Sequence, residues 1–304
     1  MKVIELVEES AQRLERAGVS LGHGTYAMWD EAAWLVLWAL GRPVDSLDEV
    51  AQSPVGALQL PLVRELIERR IRSRQPAAYL TGEAWLHGMP FYVDERTIVP
   101  RSLIAEVLID QTLDTWLNGP INRVLDLCTG NGSLAIMAAQ LWPDAQVQAS
   151  DLSASALVVA QRNAYHHGVL ARIEWRHGDG LQAAPGPHDL ILCNPPYVNS
   201  RSMDALPPEY RAEPALALEG GVDGMDFIRR LMDSAAASLS EAGALVLEIG
   251  HEREHFEAAF PSVEPIWLPT SSGDDQLMLL FRSTLLPLGG AHTSRPPSPG
   301  GEAR

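Results

Sequence analysis

Between Arg123 and Arg282, short apolar runs alternate with stretches of helical length, and few architectures satisfy that alternation. The runs occupy residues 124–128, 147–151, 173–177, 190–193, 244–249, 263–268 and 277–282. Continuous apolar runs of this length read as strands covered on both faces, and connections long enough for a helix are what parallel strands require. The first five runs are separated in that way. The last two lie close enough to pair antiparallel. The pattern predicts an α/β fold with a seven-stranded sheet, reversed at its final hairpin, whose ligands bind at the C-terminal ends of the strands.

Upstream, residues 1–78 read as a small helical domain. Val3, Leu6, Val7 and Leu14 form one stripe, and residues 29–40 are apolar almost all round, as in a buried second helix. A third helix over residues 60–74 carries Arg64, Arg69, Arg70, Arg72 and Arg74. It is expected to present them as a solvated charged face, with Leu62, Leu66 and Ile71 inward. Residues 79–100, aromatic and punctuated by Gly82, Gly88 and Pro90, predict a β-hairpin linker to a catalytic domain over 101–282. Residues 283–304 are rich in Pro, Gly and Ser and are expected to be a disordered tail.

The chain has 304 residues and a formal net charge of -16. Binding to nucleic acid phosphates is driven by Lys and Arg, so this balance excludes a protein that wraps nucleic acid, speaks against sequence-specific DNA binding and favours a basic protein partner. The two cysteines, Cys128 and Cys193, fall in separate strand regions with no second ligand at metal spacing, so neither a disulfide framework nor a metal site is expected. A cytoplasmic protein fits that usage. No apolar segment reaches the ~18 residues of a membrane span.

Two motifs carry chemistry. From Asp126 through Cys128, Thr129, Gly130, Asn131 and Gly132 the chain passes from strand to glycine turn to helix, where backbone can approach a ligand closely. Gly130, Gly132 and Ala135 also fit a dinucleotide fingerprint, with Asp151 at ribose-binding distance. Both readings put Asp151, next to Leu152, on the ribose of an adenosine ligand. Asp126 favours S-adenosylmethionine, because a carboxylate there can position its cationic amino or sulfonium group. Asp179, followed by Gly180, is placed either to accept from an adenine amine or simply to form a turn.

The second motif is Asn194, Pro195, Pro196 and Tyr197, at the end of the fourth predicted strand. The Asn194 amide oxygen and the Pro195 carbonyl can accept both hydrogens of a planar NH2 group, the prolines fix them, and Tyr197 offers a flat face. An amide nitrogen is a poor nucleophile because its lone pair is delocalised; holding both N–H bonds orients that lone pair toward a methyl donor. A plain strand stop, with Asn194 capping a turn, is the competing account of an isolated motif.

These residues resemble the protein glutamine N5-methyltransferases. The resemblance extends to about Arg282 through YLTGEAW (79–85), FYVDERTIVPRS (91–102), the turn at 126–132, NPPY (194–197) and LPPEYRAEP (206–214). Within the family, GHGT (22–25), WDEA (29–32) and VDER (93–96) resemble the branch that modifies the third large-subunit ribosomal protein. The resemblance implies a Rossmann-like S-adenosylmethionine-dependent methyltransferase domain over residues 101–282 and a substrate-recognising role for the helical domain of residues 1–78. It implies catalytic roles for Asn194, Pro195, Pro196 and Tyr197, and cofactor binding by Asp126, Cys128, Thr129, Gly130, Asn131, Gly132, Asp151, Leu152, Asp179, Gly180 and Asn194. It also places Pro100 and Arg101 at the pocket mouth, with Phe91 helping to close it. Gly180 departs from the larger residue common after the family's acid. Peptide-release factors, modified at a Gly-Gly-Gln motif, are the alternative substrate; DNA adenine methylation, a noncatalytic adenosine-binding protein and a dinucleotide oxidoreductase are more distant alternatives. His23 is expected to be a structural hydrogen-bonder, and His166 and His167 solvated residues at a helix end.

Overall fold

The computed structural model describes residues 1–117 and 119–286. The helical part comprises α1 (Val3–Arg16), α2 (Met28–Ala39), α3 (Leu47–Val50), α4 (Gln59–Ser73) and α5 (Ala77–Thr81). α1 buries Val3, Leu6, Val7 and Leu14 on one face, and the Glu5 carboxylate accepts the Lys2 N–H at 2.8 Å. α2 buries every residue from Glu31 to Leu37, because it lies between α1 and α4.

α4 departs from expectation. Its inward stripe is Val63, Leu66, Ile67 and Arg70, at helical spacing, while Leu62 is 62% exposed. Arg70 is fully buried: Nε donates to Glu31 at 2.8 Å, Nη1 to Glu209 at 3.3 Å and Nη2 to the Ser20 carbonyl at 3.0 Å. Arg74 also turns in, with Nε 3.1 Å from Glu209. Arg64, Arg69 and Arg72 are exposed as expected, Arg64 pairing with Glu9 and Arg72 with Glu65. A buried guanidinium is stable only when partnered, and two buried carboxylates and a carbonyl supply that here.

β1 (Glu83–Leu86) and β2 (Met89–Tyr92) pair antiparallel. The hairpin is shorter than the sequence suggests, since Tyr79 to Thr81 close α5. It bridges two cores: Ala84, Val93 and Val99 pack with the helices, whereas Leu86 and Phe91 pack with the large sheet domain.

The remaining elements are α6 (Ile104–Ile109), β3 (Arg123–Leu127), α7 (Ser133–Leu141), β4 (Gln146–Asp151), α8 (Ala154–His166), β5 (Ile173–His177), α9 (Gly180–Ala183), β6 (His188–Cys193), α10 (Ser200–Ala205), α11 (Asp226–Ser238), β7 (Leu239–Glu248), α12 (Arg253–Ala259), β8 (Ile266–Trp267), β9 (Leu277–Phe281) and α13 (Arg282–Leu285). The strands form one sheet in the order β5-β4-β3-β6-β7-β9-β8, parallel from β5 to β7, with β9 antiparallel to both neighbours. This is the expected α/β sheet of seven strands. Successive strand residues feed opposite faces: Val124, Leu190 and Leu192 enter one core, and Leu125, Ile191 and Cys193 the other.

Three details differ. β8 is two residues long rather than the whole run 263–268, because Pro265 and Pro269 on either side cannot donate to a ladder. The connection from β5 to β6 contains only the four-residue α9. The expected tail begins too early: Arg282–Leu285 form a helix whose Leu285 is buried against the sheet domain. Residues 287–304 of that expected tail lie outside the described residues. No helix among the described residues is long and apolar enough to cross a membrane.

Candidate active site

The order of strands reverses direction between β3 and β6, which leaves a crevice beyond their C-terminal ends. The β3–α7 turn forms one wall. Cys128 is left-handed there, at φ 63°, as are Gly130 and Gly132. Its backbone is pinned: the Thr129 N–H donates to the Ser150 carbonyl at 3.0 Å and the Gly130 N–H to the Asp151 carboxylate at 2.9 Å. Beneath the turn, Asp126 Oδ2 accepts from the Thr129 hydroxyl at 2.5 Å and the Ala135 N–H at 2.9 Å. Oδ1 of Asp126 is buried with no partner. Burial pushes its carboxyl up to about 7, against the pull of those two donors.

A cavity of about 380 Å³ opens over this turn. Of the residues proposed from sequence to hold a cofactor, Cys128, Gly130, Asp151, Leu152, Asp179, Gly180 and Asn194 line it. Asp126, Thr129, Asn131 and Gly132 lie behind the wall. Gly132 serves packing, since a β-carbon there would sit 2.9 Å from that of Ala160 on α8. Asn131 likewise works within the fold, its carbonyl accepting from Asn163 at 2.9 Å. Asp151 is held at both oxygens, by the Gly130 and Ser153 N–H groups at 2.9 and 2.8 Å, and each oxygen keeps a lone pair for a ligand. Burial raises its carboxyl, partly offset by those donors. Asp179 is half exposed, 3.7 Å from Arg230 across the rim.

A second cavity, of about 620 Å³, lies on the other side of the tetrapeptide. Pro195 and Tyr197 line this one, Pro196 lines the first, and Asn194 lines both. Ile98 and Ala217 also border both. The Tyr197 hydroxyl is 3.4 Å from Glu248 Oε1, to which it donates. Glu248 Oε2 accepts from the Ser102 hydroxyl at 2.5 Å and the Leu103 N–H at 2.9 Å. The pairing of Cys193 with Leu247 brings Asn194 and Glu248 to adjacent strand ends. Burial raises the Tyr197 phenol, helped by the Glu248 charge, and burial likewise raises the Glu248 carboxyl.

Pro100 and Arg101 border the second cavity. Arg101 grips Glu213 with two bonds of 2.7 Å, and the Val99 N–H donates to the same carboxylate at 2.8 Å. Burial alone would raise Glu213, but the Arg101 guanidinium and the neighbouring His23 ring together outweigh it and hold the carboxyl at about 2. Phe91 is not at the mouth. It is 1% exposed in the hairpin's inner face, its ring 4.9 Å from His167, because β2 alternation points it into the core. His167 is therefore more than a solvated helix end: Nε2 lies 2.8 Å from the Pro90 carbonyl. His166 is exposed. His23 is buried with neither ring nitrogen hydrogen-bonded, packed 4.3 Å from the Tyr210 ring and 3.7 Å from Glu213.

Sequence reasoning missed Glu248, Ile98 and Ala217. Only Glu248 left a signal, a lone carboxylate within an apolar strand, which is rarely buried without a task. Among the described residues no group of three His, Cys, Asp or Glu side chains could hold a metal ion.

Comparison with known proteins bears on the same crevice. Residues 105–206 match the family described as Methyltransferase small domain. The chain is 52% identical over 284 residues to the ribosomal protein uL3 glutamine methyltransferase of Bordetella pertussis, covering 92% of this chain and 95% of that protein. It is 46% identical to the protein so named in Burkholderia pseudomallei, covering 93% and 95%, and 43% identical to that of Neisseria meningitidis serogroup B, covering 93% of each.

Proposed function

The chain belongs to the family of ribosomal protein uL3 glutamine methyltransferases, and on that footing we propose that it methylates the side-chain nitrogen of a glutamine in uL3, using S-adenosylmethionine. The observation that carries the reading is the meeting of two cavities at Asn194, one bordered by Asp151 and Gly130 and the other by Pro195 and Tyr197. Group transfer between two bound molecules needs adjoining sites, and Asn194 is the polar residue that borders both, beside Ile98 and Ala217.

The residues of the first cavity fit S-adenosylmethionine. An acid with free lone pairs stands at the rim, Leu152 and Phe227 offer apolar wall, and the unpartnered Asp126 oxygen lies buried behind the turn, where a nearby positive charge would be welcome. When bound, S-adenosylmethionine supplies an electrophilic methyl group on a cationic sulfur. Asp151, Leu152 and Gly130 would hold it, with Asp179 and Gly180 at the far end.

In the second cavity, the Asn194 amide oxygen and the Pro195 carbonyl would each accept one N–H of the glutamine carboxamide. Tyr197 would stack on its plane, and Glu248 would steady the Tyr197 hydroxyl. Fixing both N–H bonds directs the nitrogen lone pair across the Asn194 partition. Positioning of this kind supplies about 7 to 11 kcal/mol of barrier lowering. Such an enzyme would work in the cytoplasm, where ribosomal proteins are made.

Incubation with a tritiated methyl donor and, separately, purified uL3, a peptide-release factor and duplex DNA tests the proposal. Label on uL3 as N5-methylglutamine is expected, and Asn194→Ala should lose at least ~100-fold in kcat. Label on the release factor alone would reassign the substrate, and an Asn194→Ala variant at full rate would remove the mechanism.

A further inference from the structure

The helical part of the chain reaches the site through one loop. Within the described residues before β1, only Gly22, Gly24 and Tyr26 line either cavity, and all three line the one that holds Pro195 and Tyr197. None borders the cavity of Asp151. The contribution of this part is therefore confined to the side where a polypeptide would enter.

The loop is built in place. The Gly22 N–H donates to the Thr25 carbonyl at 3.3 Å, closing a turn. Gly22, at φ 117°, lies against the Tyr210 hydroxyl so closely that a β-carbon would collide with it. The His23 ring packs on Tyr210. From the other end, the Thr25 hydroxyl donates to Glu31 at 3.3 Å, Glu31 holds Arg70, and Arg70 holds Glu209, the neighbour of Tyr210. A chain of buried contacts thus fixes the backbone around a side chain that touches almost nothing: Tyr26 is 94% exposed.

An aromatic ring this exposed adds little to stability and leaves its whole apolar face for a partner. Rigid aromatics on a fixed backbone recognise polypeptides at low entropic cost, since few rotamers are lost. The occupant is the stretch of substrate chain around the target glutamine. It enters the same cavity as Pro195 and Tyr197, and the 620 Å³ available is far more than one carboxamide side chain fills. We infer that the loop at residues 22–26 determines which polypeptide the site accepts, with Tyr26 as its contact residue. This rests on the glutamine-methylating reading above.

Steady-state methylation of purified uL3 by the full chain tests it, comparing wild type with Y26A, Y26F and Y165A. Tyr165, on α8, is 70% exposed and lines neither cavity, so Y165A controls for loss of any surface aromatic. Y26A should raise KM for uL3 about tenfold, the scale of a contact residue at an interface, with kcat, the Kd for S-adenosylmethionine and Tm unchanged. Y26F and Y165A should match wild type. A KM for Y26A within about twofold of wild type, or a loss shared by Y165A, overturns the inference. A wild-type chain that fails to label uL3 overturns the methylation reading and this inference with it; an active wild type with an unmoved Y26A overturns this inference alone.

Discussion

Asp126 is a carboxyl that the fold keeps from water, accepting two donors at one oxygen and none at the other. Its carboxyl rises from the ordinary 3.8 to about 7, with burial the main cause. Between those values the folded chain keeps the proton and the unfolded chain releases it, so raising pH favours unfolding. The stability associated with the protonated group is whole below pH 3.8 and is lost as pH climbs through about 7. Asp126→Asn keeps an acceptor for Thr129 and Ala135 without the charge. Its advantage over wild type in ligand-free denaturant unfolding should therefore grow by roughly 3 kcal/mol from pH 5 to pH 8. A constant difference across that range would show that Asp126 ionises as an ordinary surface acid. Single residues were unevenly legible. Asn194 and Tyr197 stand out in sequence because prolines and an aromatic at a strand end have few structural uses, whereas Asp126 reads as a ligand contact until packing shows it behind the wall.

α4 shows where the legibility of elements stops. Its helical period was visible, and so were the runs that became β3 to β7, because burial on one or both faces leaves a local signature. The face that turns inward was not. Arg70 lies on the inner stripe because Glu31 and Glu209 meet it there, from 39 and 139 residues away in sequence, and no local pattern announces partners at that distance. The consequence is measurable. Arg70→Met should fit the space but leave buried Glu31 without its cation and buried Glu209 with Arg74 alone, costing about 3 to 5 kcal/mol. Arg72→Met removes an exposed pair with Glu65 and should cost under ~1 kcal/mol. Chemical denaturation of both variants compares them directly, and equal small losses would mean that α4 carries its arginines on a solvated face after all.

At the scale of the whole molecule, charge shapes how the protein meets its substrate. Thirty-nine acidic residues against 23 basic ones leave a net charge of -16. Arg70 and Arg101 are paired internally with buried glutamates of opposite charge, so these groups largely cancel and the acidic excess resides elsewhere on the molecule. A ribosomal protein must neutralise RNA phosphates and is correspondingly cationic. The two fields attract, and attraction of this kind acts mainly on the rate of encounter. Screening shortens its reach from about 30 Å at 0.01 M ionic strength to about 8 Å at 0.15 M. Over that interval kcat/KM for uL3 should fall by roughly tenfold. The Kd for S-adenosylmethionine should change much less, because the contacts proposed for it, with Asp151 and its neighbours, would lie within the first cavity, well inside either screening length. Stopped-flow association and steady-state assays at both salt concentrations separate the two. If kcat/KM for uL3 is insensitive to salt, the acidic surface has no part in capturing substrate, and recognition is left to the short-range contacts of the second cavity.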